Sequence, residues 1–205
     1  MSFFPYCGVL VYPSYGALGV MAVFAAAVLA TIEYFVITDR IGRGFRKLLS
    51  RACSMYEPYF RNVIERYWKV SYSVLQRLFT GTPFKPAITR MLGARIGKKM
   101  FDDGMHLTEA TLIEIGDYCT VNDATILQSH SLEEGVFKSD RIRIGEGCTI
   151  GCHAFVHYGV VMGDNAILDA DSFLMKGEVL EPAAIWRGNP AKAGIVRGAN
   201  RVGGI

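Results

Sequence analysis

The stretch from Ile144 to Leu180 reads IGEGCTIGCHAFVHYGVVMGDNAILDADSFLMKGEVL, and it decides the fold. Aliphatic residues stand at Ile144, Ile150, Val156, Met162, Leu168, Leu174 and Leu180, every sixth position without a gap. Neither the period of a helix nor the alternation of a strand produces that spacing. Gly follows three of these positions, at Gly145, Gly151 and Gly163. The residue four places on is nearly always small: Cys148, Ala154, Val160, Ala166 and Ser172.

A six-residue unit with one aliphatic and one small inward residue describes a short flat strand followed by a tight corner. Three such units close a triangular coil of roughly eighteen residues, and stacked coils carry the aliphatic side chains as ladders inside a prism. The pattern predicts an all-β domain, a left-handed parallel β-helix, against the usual right-handed crossover preference.

Working outward, Ile115-Gly116, Val121 and Leu127, with small residues at Cys119 and Thr125, form an earlier group in phase, and Ile96-Gly97 announces the first turn. The phase breaks before Ile144. The segment His130 to Arg143 is therefore predicted as a loop projecting from the prism, the kind of place where function is mounted on a regular solenoid.

The N-terminal part has another character. Between Ser2 and Asp39 the only charge is Glu33, and Ser14 to Thr38 is long and apolar enough to cross a hydrocarbon core of ~30 Å. This predicts a transmembrane helix, with Glu33 at the interface. No basic residue precedes it, as a secretory signal would require. Arg40, Arg43, Arg46, Lys47 and Arg51 follow, which places the rest of the chain on the cytoplasmic side of the cell membrane. Phe45, Leu48, Leu49 and Ala52 interleave with these charges, so the segment is expected to lie on the membrane as an amphipathic helix.

Among 205 residues the net charge is only +3. Lipid headgroups account for that excess, and no nucleic-acid partner is expected. Five cysteines without a CxxC pair agree with a reducing compartment. Pro58 to Phe79 repeats apolar residues at helical spacing until Thr80-Gly81-Thr82-Pro83 stops it, and Lys85 to Arg95 is expected as a further short helix. The predicted organisation is a transmembrane segment over 1–39, basic amphipathic and connecting helices over 40–90, and the β-helix over 91–205.

His130, in Gln128-Ser129-His130-Ser131 ahead of the acidic pair Glu133 and Glu134, is the candidate catalytic residue. An imidazole at the edge of a rigid frame is suited to accept a proton from an attacking hydroxyl or amine, although a histidine in an exposed loop is also a common bystander. His153 and His157 fall at outward positions of their repeats, as polar side-face residues or as zinc ligands. Against the prism-shaped carbonic anhydrases, in the register of Met162-Gly163-Asp164, His153 matches one ligand. Tyr158 and Asp117 occupy the places of the other two, and no metal is expected. Cys119 and Cys148 read as core, and Cys152 points elsewhere with no base beside it.

The tail Trp186-Arg187-Gly188-Asn189-Pro190-Ala191-Lys192, after the repeat and a loop histidine, resembles that of the hexapeptide-repeat acyltransferases. The resemblance implies a phosphopantetheine thioester as donor, carrier-bound or as coenzyme A, with His130 as general base. It implies a thioester channel lined by the last coils and the tail: His153, His157, Tyr158, Trp186, Gly188, Asn189, Pro190 and Lys192. It also implies a trimer of prisms.

Glu65-Arg66-Tyr67-Trp68-Lys69-Val70, Gly81-Thr82-Pro83-Phe84-Lys85, Phe101-Asp102-Asp103-Gly104, Phe137-Lys138-Ser139-Asp140 and Phe155-Val156-His157-Tyr158-Gly159-Val160 resemble the C-terminal region of Pls-type nonribosomal peptide synthetases, the poly-epsilon-lysine synthetase-like family. That resemblance implies attack by an amine on an aminoacyl thioester, with a carrier domain, membrane lipids and other β-helix domains as partners in a trimer or pseudo-trimer. The acceptor it implies is a cationic amino acid or peptide, for which the acidic group Asp102, Asp103 and Glu109, with Glu133 and Glu134, is expected to form the holder. A non-catalytic prism that completes a trimeric assembly, and an acetyl-coenzyme A-dependent acetyltransferase, are the alternative expectations.

Overall fold

The computed structural model describes residues 16, 18–26, 28–29, 51–54 and 79–194. The chain divides into two compact units, Met1–Gly44 and Phe45–Ile205. In the first, residues 16, 18–26 and 28–29 are helical, with Leu18, Val20, Met21, Phe24 and Leu29 exposed. Among the described residues no helix is long and apolar enough to cross a membrane, and most of the predicted span Ser14 to Thr38 lies outside them. The predicted helix over Pro58 to Phe79 also lies outside the described residues, apart from Phe79.

The second unit carries the repeat. Its core is a parallel β-helix whose strands fall into three sheets. The first face holds Arg95–Ile96, Ile113–Ile115, Ile142–Ile144, Val161–Met162 and Val179–Leu180. The second holds Phe101–Asp102, Thr120–Val121, Thr149–Ile150, Ile167–Leu168 and Ile185–Arg187. The third holds His106–Leu107, Ile126–Gln128, Phe155–His157 and Phe173–Leu174.

Register converts the six-residue period into coils. Ile144 pairs with Met162 and Met162 with Leu180, Ile150 with Leu168, and Val156 with Leu174, each partner eighteen residues on. Three hexads thus make one turn, and Ile150, Val156, Leu168 and Leu174 are fully buried in the ladders. The small residues Cys148, Ala154, Val160, Ala166 and Ser172 are buried beside the corners. The corners themselves repeat: Tyr118, Gly147, Asn165 and Ala183 all take positive φ, at 58°, 65°, 58° and 59°, and stack in one column. At Gly116 space rather than φ is limiting, since an added Cβ would lie 2.7 Å from the Gly145 carbonyl carbon in the next coil.

One coil is longer. Ile115 pairs with Ile144, Val121 with Ile150 and Leu127 with Val156, twenty-nine residues apart, so eleven extra residues leave the prism at the corner between the third and first faces. The segment predicted as a loop is a β-hairpin, His130–Glu133 and Val136–Ser139. Its turn is Glu134-Gly135 with φ of 52° and 73°, the doubly left-handed geometry that matches strand twist.

Arg51–Ser54 adds a third antiparallel strand against Val136–Ser139. Arg51 and Ala52, expected at the end of an amphipathic helix, are therefore strand residues. The open hairpin edge offers a row of unpaired backbone groups, and pairing with it outweighs the weak helical preference of a few residues. The remainder of that expected helix lies outside the described residues.

The helix expected over Lys85 to Arg95 runs Phe84–Met91. It ends at Gly93, whose φ is 103°, because Arg95–Ile96 is already the first strand. Ile88 and Leu92 join the core cluster with Ile96 and Met100. Asp102, paired in register with the inward Val121, is itself an inward residue, and Lys85 reaches from the helix to meet it: Nζ lies 2.7 Å from Oδ1. Both side chains are almost without solvent, at 4% and 0% exposure. Lys85 also donates to the Met105 carbonyl, and Asp102 Oδ1 accepts from the backbone N–H groups of Gly104 and Met105.

Candidate active site at the hairpin base

His130 is the first residue of the hairpin, directly after the third-face strand Ile126–Gln128. Below that strand lies His106–Leu107, in parallel register with it, so the residues that follow the two strands stack as well. Glu109 is brought beneath His130 in this way, with Oε1 2.8 Å from Nδ1 and side-chain exposures of 1% and 9%. Its other oxygen accepts from the Thr108 hydroxyl, and Thr108 in turn accepts from the Ser129 N–H at 3.2 Å. The two groups lie at ion-pair distance, so the buried carboxylate can steady a protonated ring by its charge.

The ring is fixed from another side as well. Phe137, fully buried on the returning hairpin strand, stacks on His130 with centroids 5.3 Å apart and planes 23° apart. The hairpin is tied to the coils above by Ser131 Oγ and the Tyr158 hydroxyl at 3.4 Å. Glu133 pairs with Lys138 on its own hairpin and with Lys176 from a higher coil, whose Nζ sits 5.7 Å from the centre of the Tyr158 ring.

His157 follows Val156 on the third face and would point outward from a bare prism, but it is buried. Burial holds its imidazole below the usual range. A backbone hydrogen bond at Gln128 works against that shift and the nearby His130 adds to it. Its Nδ1 accepts the Tyr158 N–H at 3.0 Å, which requires that nitrogen to be unprotonated.

His153 is placed elsewhere. It occupies a corner with φ of 56°, exposed, with Nδ1 3.7 Å from Asp171. The carboxylates expected to hold a cationic acceptor have five different surroundings and do not make one exposed group. Asp102 faces inward on Lys85, Glu109 is buried on His130, and Glu133 is paired with lysines. Glu134 is exposed at the hairpin turn, and Asp103 lies at a corner with its N–H on the Val121 carbonyl. The inward phase of the coil buries Asp102, and the stacking of the third face buries Glu109.

In the tail, Trp186 pairs in register with Leu168 and packs half-buried on the core. Gly188, Asn189, Pro190 and Lys192 are exposed. The segment bonds back to the third face, the Gly188 carbonyl accepting the Phe173 N–H and the Phe173 carbonyl accepting the Ala191 N–H. Lys192–Ala193 pairs antiparallel with the last second-face strand and closes the prism.

Cys119 and Cys148 are buried at inward small positions, with thiols donating to the carbonyls of Gly145 and Gly163. The hydrogen bond with Cys119 and burial push the Cys148 thiol far up, which makes it a poor nucleophile.

The placement of Glu109 against His130 is the feature of this candidate site that sequence reasoning missed. A signal existed: once Leu107 and Leu127 are placed in register, Glu109 stacks near His130.

No protein-family model matches the chain. Over 111 residues it is 31% identical to delta-poly-L-ornithine synthetase of Acinetobacter baumannii, a match covering 54% of this chain and 8% of that much longer protein. Over 157 residues it is 25% identical to WcaF of Escherichia coli, described as an acetyltransferase of colanic acid biosynthesis, covering 62% of this chain and 84% of that protein. A hexapeptide-repeat-containing acetyltransferase of Vibrio cholerae, solved with acetyl coenzyme A, superposes with a TM-score of 0.51 at 16% identity over 68% of this chain and 89% of that one. The fold is that of the hexapeptide-repeat β-helices.

Proposed function

We propose that the chain is an acyl-transfer domain that forms an amide bond from a phosphopantetheine-bound aminoacyl thioester, in the manner of a nonribosomal poly-amino-acid synthetase. The observation that carries this reading is the buried Glu109–His130 pair at the hairpin base. His130 Nε2 takes a proton from the attacking amine as its nitrogen bonds to the thioester carbonyl carbon. The imidazolium formed is stabilised by Glu109, and the tetrahedral intermediate collapses with loss of the pantetheine thiolate, which recovers the proton. The similarity to the ornithine synthetase supports an amine acceptor, and the acetyl-coenzyme A complex of the Vibrio protein supports a pantetheine thioester donor.

The wider assembly belongs to the same proposal: left-handed coils, a transmembrane anchor over 1–39, connecting helices over 40–90, a catalytic domain over 91–205 on the cytoplasmic side, and a trimer or pseudo-trimer of prisms. Because the chain matches only 8% of the synthetase, a non-catalytic prism that completes such an assembly is the second reading. Calorimetric titration of the chain with a phosphopantetheine thioester separates the two: an acyl-transfer domain binds it saturably and a scaffold does not. Acetyl-coenzyme A, run in parallel, shows whether plain acetylation is the reaction.

A further inference from the structure

Three arginines gather on one carboxylate beside the hairpin base. On the outer side of the first face, Arg95, Glu114 and Arg143 stand in one register column, and Arg141 enters from the corner where the hairpin returns. Glu114 is the shared partner of all three: Oε1 lies 3.2 Å from Arg95 and 2.5 Å from Arg141, and Oε2 lies 3.8 Å from Arg143. Three guanidiniums on one carboxylate leave positive charge in excess. Arg95 and Arg143 keep 70% and 56% of their side-chain surface, so donors of both forks face solvent. Asp140, the other carboxylate at this corner, accepts the backbone N–H of Arg141 at 2.7 Å.

The cluster is tied to the site. The Asp140 N–H donates to the Ser129 carbonyl, closing the hairpin base, and Ser129 precedes His130. The Arg141 carbonyl accepts the Gly159 N–H, next to Tyr158 and His157.

We propose that Arg95, Arg141 and Arg143 form a binding site for an oxyanion group of the substrate, a carboxylate or a phosphate. Guanidinium forks match the planar geometry of a carboxylate and the oxygens of a phosphate, and exposed Arg pairs retain donors for both. Two groups in the proposed reaction have this chemistry: the carboxylate of an amino-acid acceptor whose amine is presented to His130, and the phosphate of the pantetheine arm. The identity of the anion rests on the acyl-transfer reading, whereas the site itself does not.

The test uses the full chain labelled with nitrogen-15 at arginine. Inorganic phosphate and acetate are titrated separately while the guanidinium Nε–H resonances are followed, in the wild type and in the double variant R95Q/R143Q. Saturable shifts confined to Arg95, Arg141 and Arg143, and lost at Arg141 in the double variant, are expected. Stronger binding of phosphate assigns the donor arm, and stronger binding of acetate the acceptor. Shifts that are absent, that spread evenly over all arginines, or that persist at Arg141 in the variant overturn the proposal. Because this readout is binding, a failure of the acyl-transfer reading leaves it standing. Where transfer is measurable, R95Q/R143Q raises the KM of the anion-bearing substrate roughly tenfold with kcat within about twofold, and loses this effect against an amidated acceptor or a phosphate-free N-acetylcysteamine thioester.

Discussion

Glu109 Oε1 lies 2.8 Å from His130 Nδ1, and the two side chains come from successive coils of the third face. The carboxylate cannot reach solvent and its other oxygen is held by Thr108. The pair is thus buried rather than an exposed ion pair, and under the proposed reaction it is the unit that handles the proton. Replacing Glu109 by Gln keeps the shape and removes the charge that steadies an imidazolium. We expect E109Q to lower kcat about a hundredfold with KM within about twofold. Steady-state thiol release from an aminoacyl-pantetheine thioester measures both.

The Lys85–Asp102 pair gives a stability prediction of a different kind. Removing one partner strands a buried charge, so D102A or K85A is expected to cost about 3–5 kcal/mol. The double variant K85M/D102L fills the same space without charge and recovers most of that loss. Urea midpoints at unchanged m-value report the comparison.

His157 titrates below the usual imidazole range because it is buried. In the interval between its folded and unfolded values the unfolded chain binds the extra proton, so the stability that His157 contributes is present above the unfolded value and is lost as pH falls through that interval. The variant H157F removes this dependence. Urea midpoints of wild type and H157F, taken from neutral to mildly acidic pH, are expected to converge or cross as the wild type loses its share.

Two glycines separate space from backbone conformation. An added Cβ at Gly116 meets the backbone of Gly145, whereas Gly177, with φ of 72°, has nothing within 4 Å. G116A is expected to cost roughly 3 kcal/mol or more through overpacking, and G177A only about 1 kcal/mol for the left-handed backbone. Thermal melts of the two variants rank them.

The ladders were legible because each repeat announces its own inward residue, and Ile144 to Leu180 needs no knowledge of any distant segment. Asp102 was legible in principle, six residues after Ile96, but a charge at an inward position makes sense only once Lys85 is known to reach it. The hairpin carried a turn signal in Glu134-Gly135 that the broken phase masked. Arg51–Ser54 carried no local strand signal, since its pairing is set by an edge more than eighty residues away in sequence. Glu109 escaped for the related reason that coil-to-coil register, and not spacing along the chain, puts it under His130.

The central claim is that His130 is the base of an acyl transfer. The direct measurement is the rate of thiol release from an aminoacyl-pantetheine thioester, in the presence of an amine acceptor, for the wild type and H130A at matched saturation. The account predicts a fall of about 10²–10⁴-fold with thioester binding retained. An unchanged rate in a folded H130A protein would contradict it.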